Sequence, residues 1–269
     1  MDYKFKKIMI GFDNSASSII ALDKALEFCK AFDTGLYLVN VKDPKANGND
    51  HTEMIRLHAT DSGVEINYME RSGHVNREIS AVEREIGADL IFMGSHGLNG
   101  FQPYWIGSNA IRVVSASSCP VITIQADSGR ADFTDIILPL DNSDETRQKV
   151  PYAAVLAKVF NSTIHILSVS KDTNEATKQK ITIYARQTEK YLDKFEIKYT
   201  SELRVGHSVA QTCIDYAIER KAGLIMMMTE TENNSWYMGT VAQQLINHSP
   251  VPVLSIHSRD LFHSGASGY

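Results

Sequence analysis

Along this chain, short apolar runs alternate with longer segments in which apolar residues recur at helical spacing. That alternation is the signature of β-α-β units. In the first half KKIMIGF, GLYLVNV, VEINYME, ADLIFMG and PVITIQ read as strands. Four of them are too continuously apolar to keep a wet face, which places them in a parallel sheet covered on both sides. Between them, helical periodicity predicts helices over about Ser15–Ala31, His51–Asp61, Val75–Glu85 and Ser108–Ser117. Asn14 or Ser15 can cap the first of these, and Gly87 offers a left-handed stop for the third. The second half predicts the strands DIILPL, TIHILSV, FEIKYTS, GLIMMM and PVLSI.

The two halves are copies. GFDNS at Gly11–Ser15 returns as PLDNS at Pro139–Ser143, and the segment from Arg71 to Gly94 returns from Arg204 to Met228. The offset is 128 residues between Asp13 and Asp141, 133 between Gly73 and Gly206, and 132 between Pro120 and Pro252. Matched landmarks in one order identify a tandem repeat. The expected architecture is two doubly wound α/β domains, each a five-stranded parallel sheet of order 3-2-1-4-5 with helices on both faces. Their expected bounds are 1–127 and 134–258, with a tail at 259–269.

Composition narrows the function. A net charge of −5, with Lys and Arg scattered along the chain, disfavours a nucleic-acid partner. The apolar run near the start is broken at Gly11 and Asp13, so neither a signal peptide nor a membrane span is read there and a cytosolic location is expected. Three cysteines without a CxxC pair suggest reduced thiols. The histidines show no HxxxH or HxH spacing, which argues against a metal site made of protein ligands alone.

In an open parallel α/β sheet, ligands bind beyond the carboxyl ends of the strands where the order reverses. The unusual residues of the first half lie after its first strand (Gly11, Asp13) and after its fourth, in GSHGLNGFQPYWIGSNA. Glycines there let backbone approach an anion, and the following helix start offers free N–H groups. The segment has neither the Gly-Lys-Ser/Thr of a Walker A loop nor a GxGxxG. Asp13 has two readings, ligand contact or helix cap, and Gly73 has two, turn or crevice lining. Ser95 beside His96 lacks the orienting acid of a catalytic pair. Tyr104, Trp105, Trp236 and Tyr237 read as loop anchors or contact surface, and Met226–Met228 as core.

The spacing Gly94-x2-Gly97-x9-Gly107-Ser108 resembles the G-x2-G-x9-G-(S/T) of nucleotide-binding universal stress proteins, and the resemblance covers nearly the whole chain. It implies ATP, or AMP or ADP, with or without Mg²⁺. Asp13 would then contact ribose or a phosphate-bound metal, and Val41 would offer backbone to adenine. Gly94, Gly97, Gly107, Ser108 and Asn109 would hold the phosphates, with Gly11, Gly73, Met93 and His96 completing the candidate set. Gly11 stands where that family often has proline. Dimerisation in that family further implies an intramolecular pseudo-dimer in which two apolar sheet edges meet, with a homodimer left open.

The second half lacks the first two glycines of the motif and carries Glu230 and Glu232 in that region. Two like charges about 4 Å apart cost roughly 4 kcal/mol at an effective dielectric near 20. This copy is therefore expected to be structural or partner-binding. The expected function is a stress-response or regulatory protein with one nucleotide site and at most weak ATP hydrolysis. A slow ATPase or nucleotide-dependent switch, and a non-nucleotide scaffold with an unidentified protein partner, are the alternatives.

Overall fold

The computed structural model describes residues 5–42, 61–95, 108–128, 132–170, 174–206, 208–229 and 239–258. The expected helix at 51–61 falls almost wholly outside them, as do the aromatics of both loops, Glu230 and Glu232. The chain divides into two units, residues 2–129 and 130–269.

The first unit runs β1 (Ile8–Gly11), α1 (Ala16–Phe32), β2 (Leu36–Lys42), β3 (Ile66–Ser72), α2 (Val75–Ile86), β4 (Leu90–Ser95), α3 (Ser108–Ala116) and β5 (Val121–Gln125). Its strands lie in the order β3-β2-β1-β4-β5, paired in parallel. Burial follows position: all four β1 residues and all five of β5 are buried, while β3, the outer strand, is largely exposed. Phe28 on α1 meets Phe5 and Phe92 edge-on, each with ring centroids 5.5 Å apart, locking the helix onto the sheet. Each fully buried side chain of this size contributes about 1.5–3 kcal/mol.

Helix ends follow local chemistry. The Ser15 hydroxyl caps α1 by accepting from the Ser18 N–H, and Asp33 ends it in left-handed conformation. Gly87, at φ 65°, ends α2 as its sequence predicts. Glu83 of α2 is 3% exposed and accepts from the Ser118 N–H (2.7 Å), the Ser118 hydroxyl (2.6 Å) and the Cys119 N–H (2.9 Å), so one carboxylate pins the turn before β5.

The second unit runs β6 (Asp135–Leu140), a 3-10 turn (Asp144–Arg147), α4 (Val150–Phe160), β7 (Thr163–Ser170), α5 (Glu175–Lys194), β8 (Tyr199–Val205), α6 (Val209–Arg220), β9 (Leu224–Thr229), α7 (Thr240–His248) and β10 (Val253–His257). The order is β8-β7-β6-β9-β10, again parallel. One expected strand shifts: FEIKYTS predicts a start at Phe195, whereas β8 starts at Tyr199. Helix α5 continues to Lys194, Phe195 caps it, and Glu196 turns the chain at φ 53°. Ile197 is buried in that turn, with its N–H on the Leu192 carbonyl, so its apolar character serves the turn rather than the strand.

Among the described residues no helix is long and apolar enough to cross a membrane. All three cysteines are free and buried. Burial pushes the thiols of Cys29 and Cys213 up to about 12, and that of Cys119 higher still, so they are inert as nucleophiles.

Candidate functional site

The strand order of the first unit reverses between β1 and β4, which pair with Gly11 opposite Met93. Beyond their carboxyl ends lies a crevice of about 240 Å³. Gly11, Asp13, Val41, Met93, Gly94 and Asn109 from the expected set line it, together with Ser18, Ile79 and Ser95. Val41 reaches it from β2, and Asn109 from the first turn of α3, which Ser108 opens. Gly73 is not among the lining residues; at φ 143° it serves the turn between β3 and α2. His96, Gly97 and Gly107 lie outside the described residues.

Asp13 is exposed and holds an Asx turn: its Oδ1 accepts from the Ser15 N–H (3.0 Å) and the Ser15 hydroxyl (2.6 Å). Ser15, not Asp13, caps α1, so the cap reading of Asp13 gives way to a carboxylate oriented by the cap. The loop behind it is fixed by Asn40, whose side-chain amide donates to the Phe12 carbonyl at 2.9 Å.

The glycines have specific neighbours. A Cβ on Gly11 would meet the Met93 sulfur at 2.5 Å, so the absence of a side chain there makes room for Met93. A Cβ on Gly94 would lie 2.6 Å from the Ser18 nitrogen and 2.7 Å from the Ser17 hydroxyl. Gly94 belongs to β4, and its bareness is required by the first turn of α1. The expectation that Gly94 serves close approach to an anion therefore acquires an independent packing cause.

Ser95 follows immediately. It is 6% exposed, lines the crevice, and its hydroxyl has no hydrogen-bond partner among the described residues. A buried hydroxyl left unsatisfied costs about 1–3 kcal/mol. Sequence reasoning only removes Ser95 from a catalytic pair, because burial is invisible in the string GSHG.

The second unit has the corresponding crevice, about 460 Å³. Asp141 reproduces the Asp13 turn: its Oδ1 accepts from the Ser143 N–H at 2.9 Å and the Ser143 hydroxyl at 2.6 Å. What differs is Lys149, 2% exposed and lining this crevice, at the position 128 residues after Ala21. Its Nζ donates to the Thr146 carbonyl (2.5 Å) and the Thr146 hydroxyl (3.2 Å). Burial lowers its pKa to about 8 against the opposing pull of the Asp141 carboxylate. Burial also works against ionisation of Asp141, but the Ser143 hydroxyl, Lys149 and further hydrogen bonds outweigh it and hold the carboxyl below its ordinary value. The signal for this pair was present in the repeat: a lysine replacing a small apolar residue at constant offset.

Among the described residues no cluster of three His, Cys, Asp or Glu side chains forms a metal site. Two doubly wound parallel units, each with a switch-point crevice, define a tandem α/β protein. The model of the universal stress protein family matches residues 4–59, 49–125 and 132–257, and the chain belongs to that family. A universal stress protein of Methanocaldococcus jannaschii is 29% identical over 140 residues, 45% of this chain and 82% of that protein. Universal stress protein YxiE of Bacillus subtilis is 24% identical over 147 residues, 45% of this chain and 99% of its own. A universal stress protein from Archaeoglobus fulgidus shares the fold over 96% of this chain and all of its own, with a TM-score of 0.79 at 19% identity.

Proposed function

We propose that the first unit binds an adenine nucleotide, ATP, ADP or AMP, in the crevice at β1 and β4, and that the protein is a regulatory or stress-response factor with little or no turnover. The observation that carries this reading is the Ser95 hydroxyl, buried on the crevice wall with no hydrogen-bond partner among the described residues. A ligand oxygen at that point would satisfy it. The exposed Asp13 carboxylate suits ribose hydroxyls or a Mg²⁺ carried in by phosphates, and the start of α3 at Ser108 suits an anion through the N–H groups that a helix start leaves outside its own ladder. Val41 of β2 lines the same crevice, which suits it to offer backbone to adenine.

The test is to denature the purified full chain, identify released small molecules by mass spectrometry, and titrate the protein with ATP, ADP and AMP by calorimetry. One nucleotide per chain is expected, with binding lost in Gly97→Glu and phosphate release no faster than in that variant. A chain that carries no nucleotide and gives no heat with any of the three would overturn the reading. Phosphate release well above the variant would instead establish a slow ATPase.

A further inference from the structure

The outer strand of the second unit, β8, pairs with β7 alone among the described strands. The ladder fixes which backbone groups are left over. The Lys198 carbonyl accepts from the Ile164 N–H at 2.9 Å, the Gly206 N–H donates to the Ser170 carbonyl at 3.0 Å, and the register between them is constant. Alternation along a strand therefore turns the backbone groups of Lys198, Thr200, Glu202, Arg204 and Gly206 toward β7 and those of Ser201, Leu203 and Val205 away from it. Among the described residues nothing pairs with that outer row.

The side chains of the same three residues are uncovered as well. Leu203 is 45% and Val205 51% exposed, although both are apolar, and Ser201 is exposed too. Natural sheets usually guard such a strand with a charge or a proline. Here the charges of the strand are drawn to its other face: Arg204 binds Glu202 at 2.7 Å and Glu219 of α6 at 2.7 Å, and Arg220 of α6 binds Glu202 at 2.9 Å. These side chains hold one another and leave the outer row unguarded.

The order of the residues selects the occupant. Laid antiparallel on itself about Leu203, the segment Ser201–Val205 sets Leu203 beside its own copy, Ser201 beside Val205 and Glu202 beside Arg204. No like charges meet, and the Glu202–Arg204 pair of each chain stays intact while its signs alternate with those of the other. The outward groups meet as hydrogen-bonded pairs, Leu203 exchanging both bonds with its copy and Ser201 both with Val205.

We propose that β8 is a self-association edge through which two copies of this chain pair antiparallel about Leu203. The junction is isologous, so one strand serves both sides and the pairing closes at two chains. The backbone ladder supplies the directionality, and Leu203 against Leu203 with Val205 against Ser201 removes apolar surface from water. Ser201, Leu203 and Val205 line neither crevice, so the pairing is independent of nucleotide.

The test is sedimentation equilibrium of the full chain, alone and as variants. The wild type should show a species of twice the chain's 30.0 kDa. Leu203 lies on the twofold axis, so Leu203→Lys or Leu203→Glu sets two like charges against each other and should weaken association roughly tenfold or more. An equimolar mixture of the two variants should recover the dimer, which also shows that both are folded. Ile183→Lys, an equally exposed position on α5, should associate like the wild type. The proposal is overturned if the wild type stays at 30.0 kDa up to about 1 mM, if both Leu203 variants associate like the wild type, or if their mixture remains monomeric.

Discussion

Replacing Gly94 by alanine tests whether the glycine exists for a ligand or for the fold. The added Cβ would lie 2.6 Å from the Ser18 nitrogen and 2.8 Å from the Ser17 carbonyl carbon, both backbone atoms of the first turn of α1. Carbon contacts are comfortable near 3.5–4.0 Å, so α1 and β4 must separate by about 1 Å. Overpacking of this kind costs about 1–3 kcal/mol, offset by about 0.4–1 kcal/mol from the stiffer unfolded chain. A net loss of about 1–2 kcal/mol corresponds to a melting temperature lower by roughly 3–10 °C for a unit of this size. Differential scanning calorimetry of the full chain measures it, with Gly63→Ala as comparison. That glycine has nothing within 4 Å among the described residues but a φ of 68°, so its alanine carries the left-handed backbone penalty of about 1–2 kcal/mol and should leave ATP binding intact. Since Ser18 is also crevice wall, Gly94→Ala should lose stability and nucleotide together. A variant that melts with the wild type yet no longer binds ATP would refute the packing argument and return Gly94 to a purely ligand-facing role.

Three further outcomes are expected. Asp141→Asn leaves the buried Lys149 charge without its carboxylate and should cost about 3 kcal/mol in urea unfolding, most of it recovered in Asp141→Asn/Lys149→Met; a double variant no better than the single one would show that the pair is not coupled. Lys149, with a pKa near 8 against 10.5 when unfolded, binds its proton less readily in the folded state, so its share of stability rises from pH 8 to 10.5 by about 3 kcal/mol. Cys213 acts oppositely: its pKa is near 12 against 9.0 unfolded, so stability present below pH 9 is lost by about 4 kcal/mol on the way to 12. Unfolding free energy from these two groups should therefore climb from pH 8 to 9, level off to 10.5 and fall beyond, and Lys149→Met should abolish the climb. Glu83→Ala, which removes the acceptor for two backbone N–H groups and a hydroxyl, should destabilise the first unit by about 3 kcal/mol, read by thermal melting.

Strands and their order were legible because burial dictates composition: IMI, LIFM and VITI are buried on both faces and could be nothing else in a β-α-β context. The slip at FEIKYTS has the same origin, since Ile197 is as apolar as a strand residue while buried in a helix-to-strand turn. The positions lining the first crevice were legible in part because a switch point selects loops, and Gly11, Asp13, Val41 and Asn109 follow from topology and resemblance. What stayed hidden depends on three-dimensional neighbours. The packing demand on Gly94 comes from α1, almost eighty residues earlier, and the isolation of the Ser95 hydroxyl is a property of everything around it.

The second unit shows how a small change can remodel a duplicated crevice. Asp13 and Asp141 make the same Asx turn with the same serine partner, so the carboxylate belongs to the shared folding pattern and does not by itself distinguish the crevices. The difference begins after it. The first unit continues into one helix from Ala16, whereas the second makes a 3-10 turn over Asp144–Arg147 and starts α4 only at Val150. Pro151 accounts for the break: in a continuous helix the Arg147 carbonyl would need an N–H at position 151, where proline has none, and the Thr146 carbonyl accepts instead from Lys149 Nζ. At the corresponding places in the first unit stand Ala21 and Asp23, which interrupt nothing. Lys149, just before that proline, supplies an internal counter-ion to Asp141, and the crevice beside it is the larger of the two. Helix geometry, charge compensation and crevice size change together, so restoring Ala at position 149 alone is expected to leave a destabilised unit with an unpaired Asp141 rather than a second nucleotide site.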